Sequence, residues 1–238
     1  MLLYDASRGT APEGGSAAAG GAGGNATEDG TGRGTVLVLL HGRGCHRGDL
    51  QALRTMVPRS WTLMTPQAPF PGHLWGYGPG WAWYRHLGED RVDEESLEKS
   101  LSALDGFLQE LPGLLGAPPA KIFLGGFSQG GTVSLSYALG NSARTQEVRP
   151  TGILNFSGFL PAEVMPLPAD RDGSLPPIFW AHGRKDPNVP FSLAERGRSV
   201  LRNAGVAVEE GDYDAGHWIA PSAMTDAVAF ARSLSGAG

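Results

Sequence analysis

An apolar stretch at residues 121–125 runs directly into the motif Gly126-Phe127-Ser128-Gln129-Gly130, and a helical pattern follows at once. A Gly-x-Ser-x-Gly motif between a strand and a helix is typical of a nucleophile elbow, a sharp turn that lifts the serine hydroxyl above the edge of a sheet. Glycine suits the two flanking positions because side chains there would collide with the neighbouring strand and helix. The sequence therefore predicts an α/β fold with Ser128 as a nucleophile. The alternative is that Ser128 is a small residue in an ordinary loop.

A serine hydroxyl is a poor nucleophile near neutral pH, so it needs a base and a third group that orients this base. Asp186 follows a strand pattern at residues 178–181, and His217 follows the last strand pattern. The order serine, acid, histidine is that of the α/β hydrolases. A helix N-cap is the alternative role for Asp186. The competing acids are Asp170, Asp172, Asp212 and Asp214, and the competing histidines are His41, His46, His73, His86 and His182.

An oxyanion that forms during acyl transfer requires N–H donors placed around it. The backbone N–H of Gln129 is one candidate, since it begins the helix after the elbow. The backbone N–H of Arg43 is the second, because a His-Gly loop follows the buried strand pattern at residues 35–40. His41 and His182 each precede a glycine at a strand end, where an imidazole often has a structural role.

These motifs resemble the phospholipase/carboxylesterase family of α/β hydrolases, which includes the acyl-protein thioesterases. The resemblance rests on the segments 40–44, 126–131, 157–161, 182–190 and 216–217, in the family's order. It implies a serine hydrolase that cleaves carboxylic esters or thioesters, with Ser128, Asp186 and His217 as its catalytic triad. It also implies an oxyanion hole made by the N–H groups of Arg43 and Gln129.

The segment at residues 69–86 is rich in aromatic residues and glycine, unlike the corresponding acyl channel of the thioesterases. Its rings predict a pocket for a flat or cyclic acyl group rather than for a long chain, and packing of the loop against the sheet is the alternative. A turn after the strand at 152–156 is expected to shape the same pocket. The predicted pocket residues are Trp75, Trp83, Phe159 and Leu160.

Arg43, Arg47 and Arg85 are candidates for binding a carboxylate or phosphate on the substrate, with solvated surface charge as the alternative. Cys45 is expected to be an incidental thiol because it lies in a loop and not at the elbow. The histidines show no metal-ligand spacing, so the sequence predicts no metal, and the mechanism requires no cofactor.

The chain has 238 residues, a formal net charge of −5 and one cysteine. This length suits one α/β domain, and the charge gives no electrostatic footprint for nucleic acid. We therefore expect a small-molecule ester or thioester substrate, no nucleic acid partner and no membrane span. The cysteine count and the lack of a signal-like or membrane-spanning run predict a cytoplasmic protein. A monomer and a homodimer fit the sequence equally.

Three segments are predicted along the chain. Residues 1–8 are a short edge strand or a tail, residues 9–34 are a flexible Gly/Ala-rich segment, and residues 35–238 are the catalytic domain. Strand and helix patterns alternate after residue 35, which predicts a mostly parallel central sheet flanked by helices, without a large cap domain. The predicted strands are 35–40, 61–64, 121–125, 152–156, 178–181 and 206–213, and the predicted helices are 49–56, 93–111, 129–138, 193–203 and 223–234.

Three functions follow from these features. The first is a serine hydrolase of the carboxylesterase or phospholipase type. The second keeps that chemistry in a tailoring or off-loading thioesterase or lactone hydrolase of a biosynthetic pathway. The third is a non-catalytic binding protein on the same fold.

Overall fold

The computed structural model describes residues 2–8, 34–140, 148–164 and 175–235. The predicted flexible segment at 9–34 lies outside the described residues, except for Gly34. The described strands are β1 Tyr4–Arg8, β2 Thr35–Leu40, β3 Thr62–Pro66, β4 Phe70–Pro71, β5 Trp81–Ala82, β6 His86–Gly88, β7 Arg91–Val92, β8 Lys121–Phe127, β9 Gly152–Phe156, β10 Ile178–Gly183 and β11 Val208–Tyr213. The described helices are α1 Glu94–Leu115, α2 Gln129–Leu139, α3 Phe191–Asn203 and α4 Pro221–Ser233. Short 3₁₀ helices span Asp49–Met56, Gly72–Trp75 and Ala162–Val164.

Seven strands form one central sheet in the order β1-β3-β2-β8-β9-β10-β11. Only β1 is antiparallel to its neighbour in this sheet; the other pairs are parallel. The predicted mostly parallel sheet with flanking helices is confirmed, and the described residues form no cap domain above it. Parallel strands end at a common edge, so the loops after β2, β8, β9, β10 and β11 all meet there.

The core has two layers, one on each face of the sheet. Along β2, Val36, Val38 and Leu40 belong to one apolar cluster, whereas Leu37 and Leu39 belong to the other. This division follows from the period of two along a strand, which sends successive side chains to opposite faces. Helices α1, α2 and α3 cover the first face, and α4 with the 3₁₀ helix Asp49–Met56 covers the second. Strands buried on both faces explain the continuous apolar runs in the sequence.

The predicted elements occur in order, with shifted boundaries. Helix α1 extends to Leu115, beyond the predicted end at residue 111, although Pro112 removes one hydrogen bond from its last turns. Leu114 and Leu115 pack against the core there, and Gly116 ends the helix in the left-handed conformation. The predicted helix at 49–56 is a 3₁₀ helix.

Two small hairpins lie between residues 70 and 92; the first falls within the aromatic segment at residues 69–86, and the second begins at the end of that segment. Strands β4 and β5 pair with each other, as do β6 and β7. With two or three residues each, these strands are too short to give an alternating pattern in the sequence. They shape the segment that faces the common edge of the sheet.

Candidate active site

Ser128 stands in a strained turn between β8 and α2. Its φ of 53° and ψ of −116° are unusual for a residue with a side chain. A Cβ atom at Gly130 would lie 2.0 Å from the carbonyl oxygen of Leu40, and one at Gly126 would lie 2.4 Å from the carbonyl carbon of Gly130. Both positions therefore require glycine, as an elbow demands. The backbone N–H of Ser128 donates to the Phe156 carbonyl at 2.8 Å, which ties the turn to the end of β9.

The three residues that the sequence predicted as a triad lie together at the common edge of the sheet. His217 Nε2 is 2.9 Å from Ser128 Oγ, and His217 Nδ1 is 2.7 Å from Asp186 Oδ2. A carboxylate can only accept, so the assigned tautomer has Nδ1–H donating to Asp186 and Nε2 accepting from the Ser128 hydroxyl. The Asp186 side chain is fully buried and that of His217 is 14% exposed. The Nε2 atom of His217 can therefore take the hydroxyl proton while the hydrogen bond from Nδ1 to Asp186 keeps the ring oriented.

Asp186 is held as a carboxylate by its hydrogen bonds. Burial by itself would raise the pKa of Asp186, but the hydrogen bond from His217 and those from two backbone N–H groups outweigh burial and lower this pKa. The backbone donors are Val189 and Asn188, each 2.9 Å from Oδ1. The turn after β10 therefore supplies both the acid and the groups that keep it ionised.

The competing acids have other positions. Asp212 forms an ion pair with Arg198 at 2.7 Å, and Asp214 forms one with Lys185 at 2.5 Å. Asp170 and Asp172 lie outside the described residues.

Among the competing histidines, His41 and His182 are buried and bonded to the backbone. His41 Nδ1 donates to the Gly42 carbonyl at 2.8 Å, and Nε2 accepts from the Ala68 N–H at 3.1 Å. Burial lowers the pKa of His41 to about 4, so the ring is neutral near neutral pH. His182 Nε2 donates to the Val189 carbonyl at 2.9 Å, within the turn that carries Asp186.

The two predicted oxyanion donors are backbone N–H groups, one in the loop after β2 and the other at the start of α2. In the described part of the chain, neither the N–H of Arg43 nor that of Gln129 has a hydrogen-bond acceptor. Arg43 follows β2 and Gln129 follows β8, and these two strands are neighbours. The two N–H groups thus belong to adjacent segments at the same edge of the sheet.

The side chain of Gln129 links the elbow to the aromatic loop, a role that sequence analysis missed. Its Oε1 accepts from the Trp83 N–H at 3.0 Å, and its Nε2 donates to the Tyr84 carbonyl at 2.9 Å. The Trp83 indole N–H in turn donates to the His41 carbonyl at 2.9 Å. A continuous chain of hydrogen bonds therefore runs from α2 to the loop of Arg43. In the sequence, the possible signal for this link is that a polar residue, Gln129, directly follows the serine of the elbow.

The loop of Arg43 is also fastened directly to the aromatic loop. The Gly44 N–H donates to the Trp81 carbonyl at 2.8 Å, and the Trp81 N–H donates to the Cys45 carbonyl at 2.8 Å. A Cβ atom at Gly80 would lie 1.9 Å from the Gly44 carbonyl oxygen, so the two backbones touch. Burial raises the pKa of the Cys45 thiol, which fits an incidental thiol rather than a nucleophile.

The predicted pocket residues are not one cluster. Trp83 has no exposed surface, so it supports the loop and presents nothing to an incoming molecule in this conformation. Trp75 is partly exposed and packs on Phe70, with ring centroids 5.0 Å apart. Phe159 and Leu160 are 4% and 6% exposed after β9, which leaves only their edges available.

The three arginines that the sequence predicted as an anion-binding cluster have different environments. Arg47 forms an ion pair with Asp5 at 3.0 Å, away from the elbow on the β1 side of the sheet. Arg43 lies over the Tyr77 ring, 4.7 Å from its centroid. Arg85 is exposed.

Within the described ranges, no group of three or more His, Cys, Asp or Glu residues is arranged so that it could hold a metal ion. Within the same ranges, every helix is too short or too polar to cross a lipid bilayer.

The parallel sheet, the strained serine and the loops that meet above it define an α/β hydrolase. The family model for phospholipases and carboxylesterases matches residues 27–235, and the chain belongs to this family of carboxylic ester hydrolases. It is 30% identical over 181 residues to acyl-protein thioesterase 1 of Cryptococcus neoformans, covering 70% of this chain and 72% of that protein. Acyl-protein thioesterase 1 of Gibberella zeae is also 30% identical, over 180 residues, with 70% and 73% covered.

Solved structures agree on the fold. Esterase PE8 superposes with a TM-score of 0.70 at 28% identity, over 87% of this chain and 94% of that one. The Bacillus cereus carboxylesterase superposes with a TM-score of 0.73 at 22% identity, over 98% and 95% of the two chains.

Proposed function

We propose that the protein is a serine hydrolase that cleaves carboxylic esters or thioesters through an acyl-enzyme on Ser128. The observation that carries this proposal is the hydrogen-bond chain from Ser128 Oγ through His217 to Asp186. A strained serine joined to a base and a buried carboxylate has a use in nucleophilic catalysis, whereas a binding protein would have none for it. This argues against the non-catalytic alternative.

In the acylation step, the Ser128 oxygen attacks the carbonyl carbon while His217 Nε2 takes the hydroxyl proton. Asp186 keeps the imidazole in the required tautomer and stabilises its charged form. The N–H groups of Arg43 and Gln129 bind the oxyanion, which then collapses, and His217 gives the proton to the departing alcohol or thiol. Water attacks the acyl-enzyme by the same route, and the acid and free Ser128 are released.

Relatives named acyl-protein thioesterase and esterase support both ester and thioester substrates. The acyl-transfer chemistry is the same for an off-loading thioesterase or a lactone hydrolase. The burial of Trp83 removes one of the rings that suggested a flat acyl group. Discrimination between acyl groups is assigned to the exposed edges of Phe159, Leu160 and Trp75. The cytoplasmic location stays a prediction from the sequence.

The proposal is tested with matched pairs of oxoesters and thioesters that share one acyl group and differ in the leaving atom. Wild-type protein should hydrolyse at least one pair, and Ser128→Ala should lose about 10⁶-fold in kcat. A ring-opening assay on lactones of the same acids separates the lactonase alternative. Equal activity in wild type and Ser128→Ala would contradict the proposed mechanism.

A further inference from the structure

Contacts link four residues in a row between the loop after β2 and the loop after β9, namely Arg43, Tyr77, His86 and Phe159. The Arg43 guanidinium lies over the Tyr77 ring, and the Tyr77 hydroxyl accepts from the His86 backbone N–H at 2.8 Å. The His86 ring then meets the Phe159 ring edge-on, with centroids 5.9 Å apart. Arg43 follows β2 and Phe159 follows β9, and these strands lie on either side of β8, which ends at the elbow. The row therefore bridges the loops that flank Ser128.

Arg43 brings an uncompensated positive charge to this row. Its side chain is exposed, and no carboxylate of the described residues lies within ion-pair distance of it. Stacking on Tyr77 orients the planar guanidinium, which reduces the entropy lost when it binds a planar anion. Its backbone N–H is also a proposed oxyanion donor, so the charge lies within one side-chain length of the reacting carbonyl.

His86 adds a second polar group, which Tyr77 connects to Arg43. In the described structure its ring nitrogens have no hydrogen-bond partner, and burial together with the Arg43 charge lowers its pKa. A neutral imidazole at this position can donate one hydrogen bond without requiring a carboxylate of the protein beside it.

The nearby acids do not neutralise this pair. Glu163 is paired with Arg91 at 3.2 Å, and Asp90 is paired with Arg196 at 2.5 Å. Glu89 is exposed at the turn of the β6–β7 hairpin and forms no ion pair in the described residues. None of these three carboxylates therefore pairs with the Arg43 guanidinium.

We propose that Arg43 and His86 form an anion-binding subsite beside Ser128, and that the preferred substrate is an ester or thioester that carries a carboxylate. This inference rests on the proposed hydrolase function and specifies its substrate class. The guanidinium binds both carboxylate oxygens, and His86 donates to one of them. Apolar atoms between the carboxylate and the scissile bond lie along the edge of Phe159.

The test compares ethyl monoesters of succinic, glutaric and adipic acids with the matched terminal amides, which have the same length and no charge. Acid release is followed by titration. Wild-type protein should prefer the carboxylate of at least one length by about tenfold in kcat/KM. The preference for the carboxylate should shrink as salt is added, because the Arg43 guanidinium is exposed to solvent. Acetyl esters of hydroxycarboxylic acids, tested in parallel, report whether the carboxylate belongs to the acyl group or to the leaving group.

The decisive variant is Arg43→Gln, which removes the charge and keeps the backbone N–H. The ratio of carboxylate to amide kcat/KM should fall to about one, and this ratio cancels any common effect on the oxyanion hole. The matched control is Arg47→Gln, four residues along the same loop, whose side chain is paired with Asp5. It should leave the ratio unchanged.

A second readout follows the charge itself. Without the Arg43 cation, the pKa of His86 should rise, and its NMR titration in Arg43→Gln should show this directly. An unchanged His86 titration would place the guanidinium away from the imidazole. A wild-type ratio near one for every length, or an equal loss on both esters in Arg43→Gln, would overturn the subsite. If the ester bond of the amide-bearing substrates is still hydrolysed in that case, the proposed hydrolase function stands although the subsite is wrong.

Discussion

His41 is the clearest case of a titratable residue that the fold keeps neutral. Both ring nitrogens have partners, because Nδ1 donates to the Gly42 carbonyl and Nε2 accepts from the Ala68 N–H. Protonation would require Nε2 to give up its acceptor role while buried. Burial accordingly lowers the pKa of His41 to about 4. The unfolded chain has no such constraint and takes up the proton near the ordinary histidine value.

This difference makes stability depend on pH. Because the unfolded state binds the proton first, the stability is complete above the unfolded pKa and is lost as pH falls from about 6.5 towards about 4. We expect His41 to contribute about 3 kcal/mol to that loss. The measurement is denaturant unfolding of wild type and His41→Asn across this range, with exposed His46→Asn as the control. An NMR titration of the folded protein in which His41 has its midpoint near pH 6.5 would contradict this prediction.

Asp186 acts in the same direction at lower pH. Its folded pKa lies below the ordinary value, so its contribution is present above the unfolded pKa and is lost as pH falls through the folded pKa. Falling pH therefore destabilises the loop of His41 first and the loop of Asp186 at lower pH.

At the scale of elements, the joint between β8 and α2 depends on the absence of side chains. The three atoms nearest to a methyl group at Gly130 would all be backbone atoms, the nearest being the Leu40 carbonyl oxygen at 2.0 Å. Backbone cannot rotate away as a side chain can, so the strand and the helix would have to separate.

We expect Gly130→Ala to lose at least about 3 kcal/mol of unfolding free energy, or to prevent folding. Gly106→Ala is the matched control, because Gly106 lies in α1 with nothing within 4 Å of an added Cβ. Helix propensity should make that variant about 1 kcal/mol more stable. Both values come from denaturant unfolding. Similar effects of the two substitutions would contradict the packing argument.

The link between α2 and the aromatic loop gives a prediction about rate. Gln129→Met keeps the volume and the proposed oxyanion N–H but leaves the Trp83 N–H and the Tyr84 carbonyl without their partners. The loop of Arg43 should then shift relative to the elbow. We expect kcat to fall about 10- to 100-fold with KM changed by less than about threefold, since the oxyanion forms after binding.

Steady-state kinetics on one ester check this, with circular dichroism to establish folding. Gln109→Met is the control, since Gln109 is exposed on α1 and bonds only to Asp105 in the described structure. A rise in KM at constant kcat would show that Gln129 acts on binding instead.

At the scale of the whole molecule, the sequence predicted the sheet, the flanking helices and the grouping of Ser128, Asp186 and His217. The apolar runs of β2 and β9 identify buried parallel strands, and the loops after parallel strands meet by topology. The local sequence pattern and the fold class were therefore sufficient to predict that Ser128, Asp186 and His217 lie close together.

The sequence could not predict contacts between segments that lack a period. The pairing of Cys45 with Trp81 and the bond from the Trp83 indole to the His41 carbonyl depend on tertiary approach alone. For the same reason the sequence left two roles open for the aromatic loop, a pocket wall and packing against the sheet, and the full burial of Trp83 favours packing for that ring. Arg47 resembled Arg43 in sequence, and its partner Asp5 lies on a strand about 40 residues earlier.

The central claim is that Ser128 is an activated nucleophile, and intact-mass analysis after treatment with a fluorophosphonate tests it most directly. Wild-type protein should gain one adduct, located by peptide mapping at Ser128, and Ser128→Ala should gain none. His217→Ala should react far more slowly, because the base that activates the hydroxyl is gone. A folded wild-type protein that stays unlabelled, or an adduct on another residue that persists in Ser128→Ala, would contradict the account.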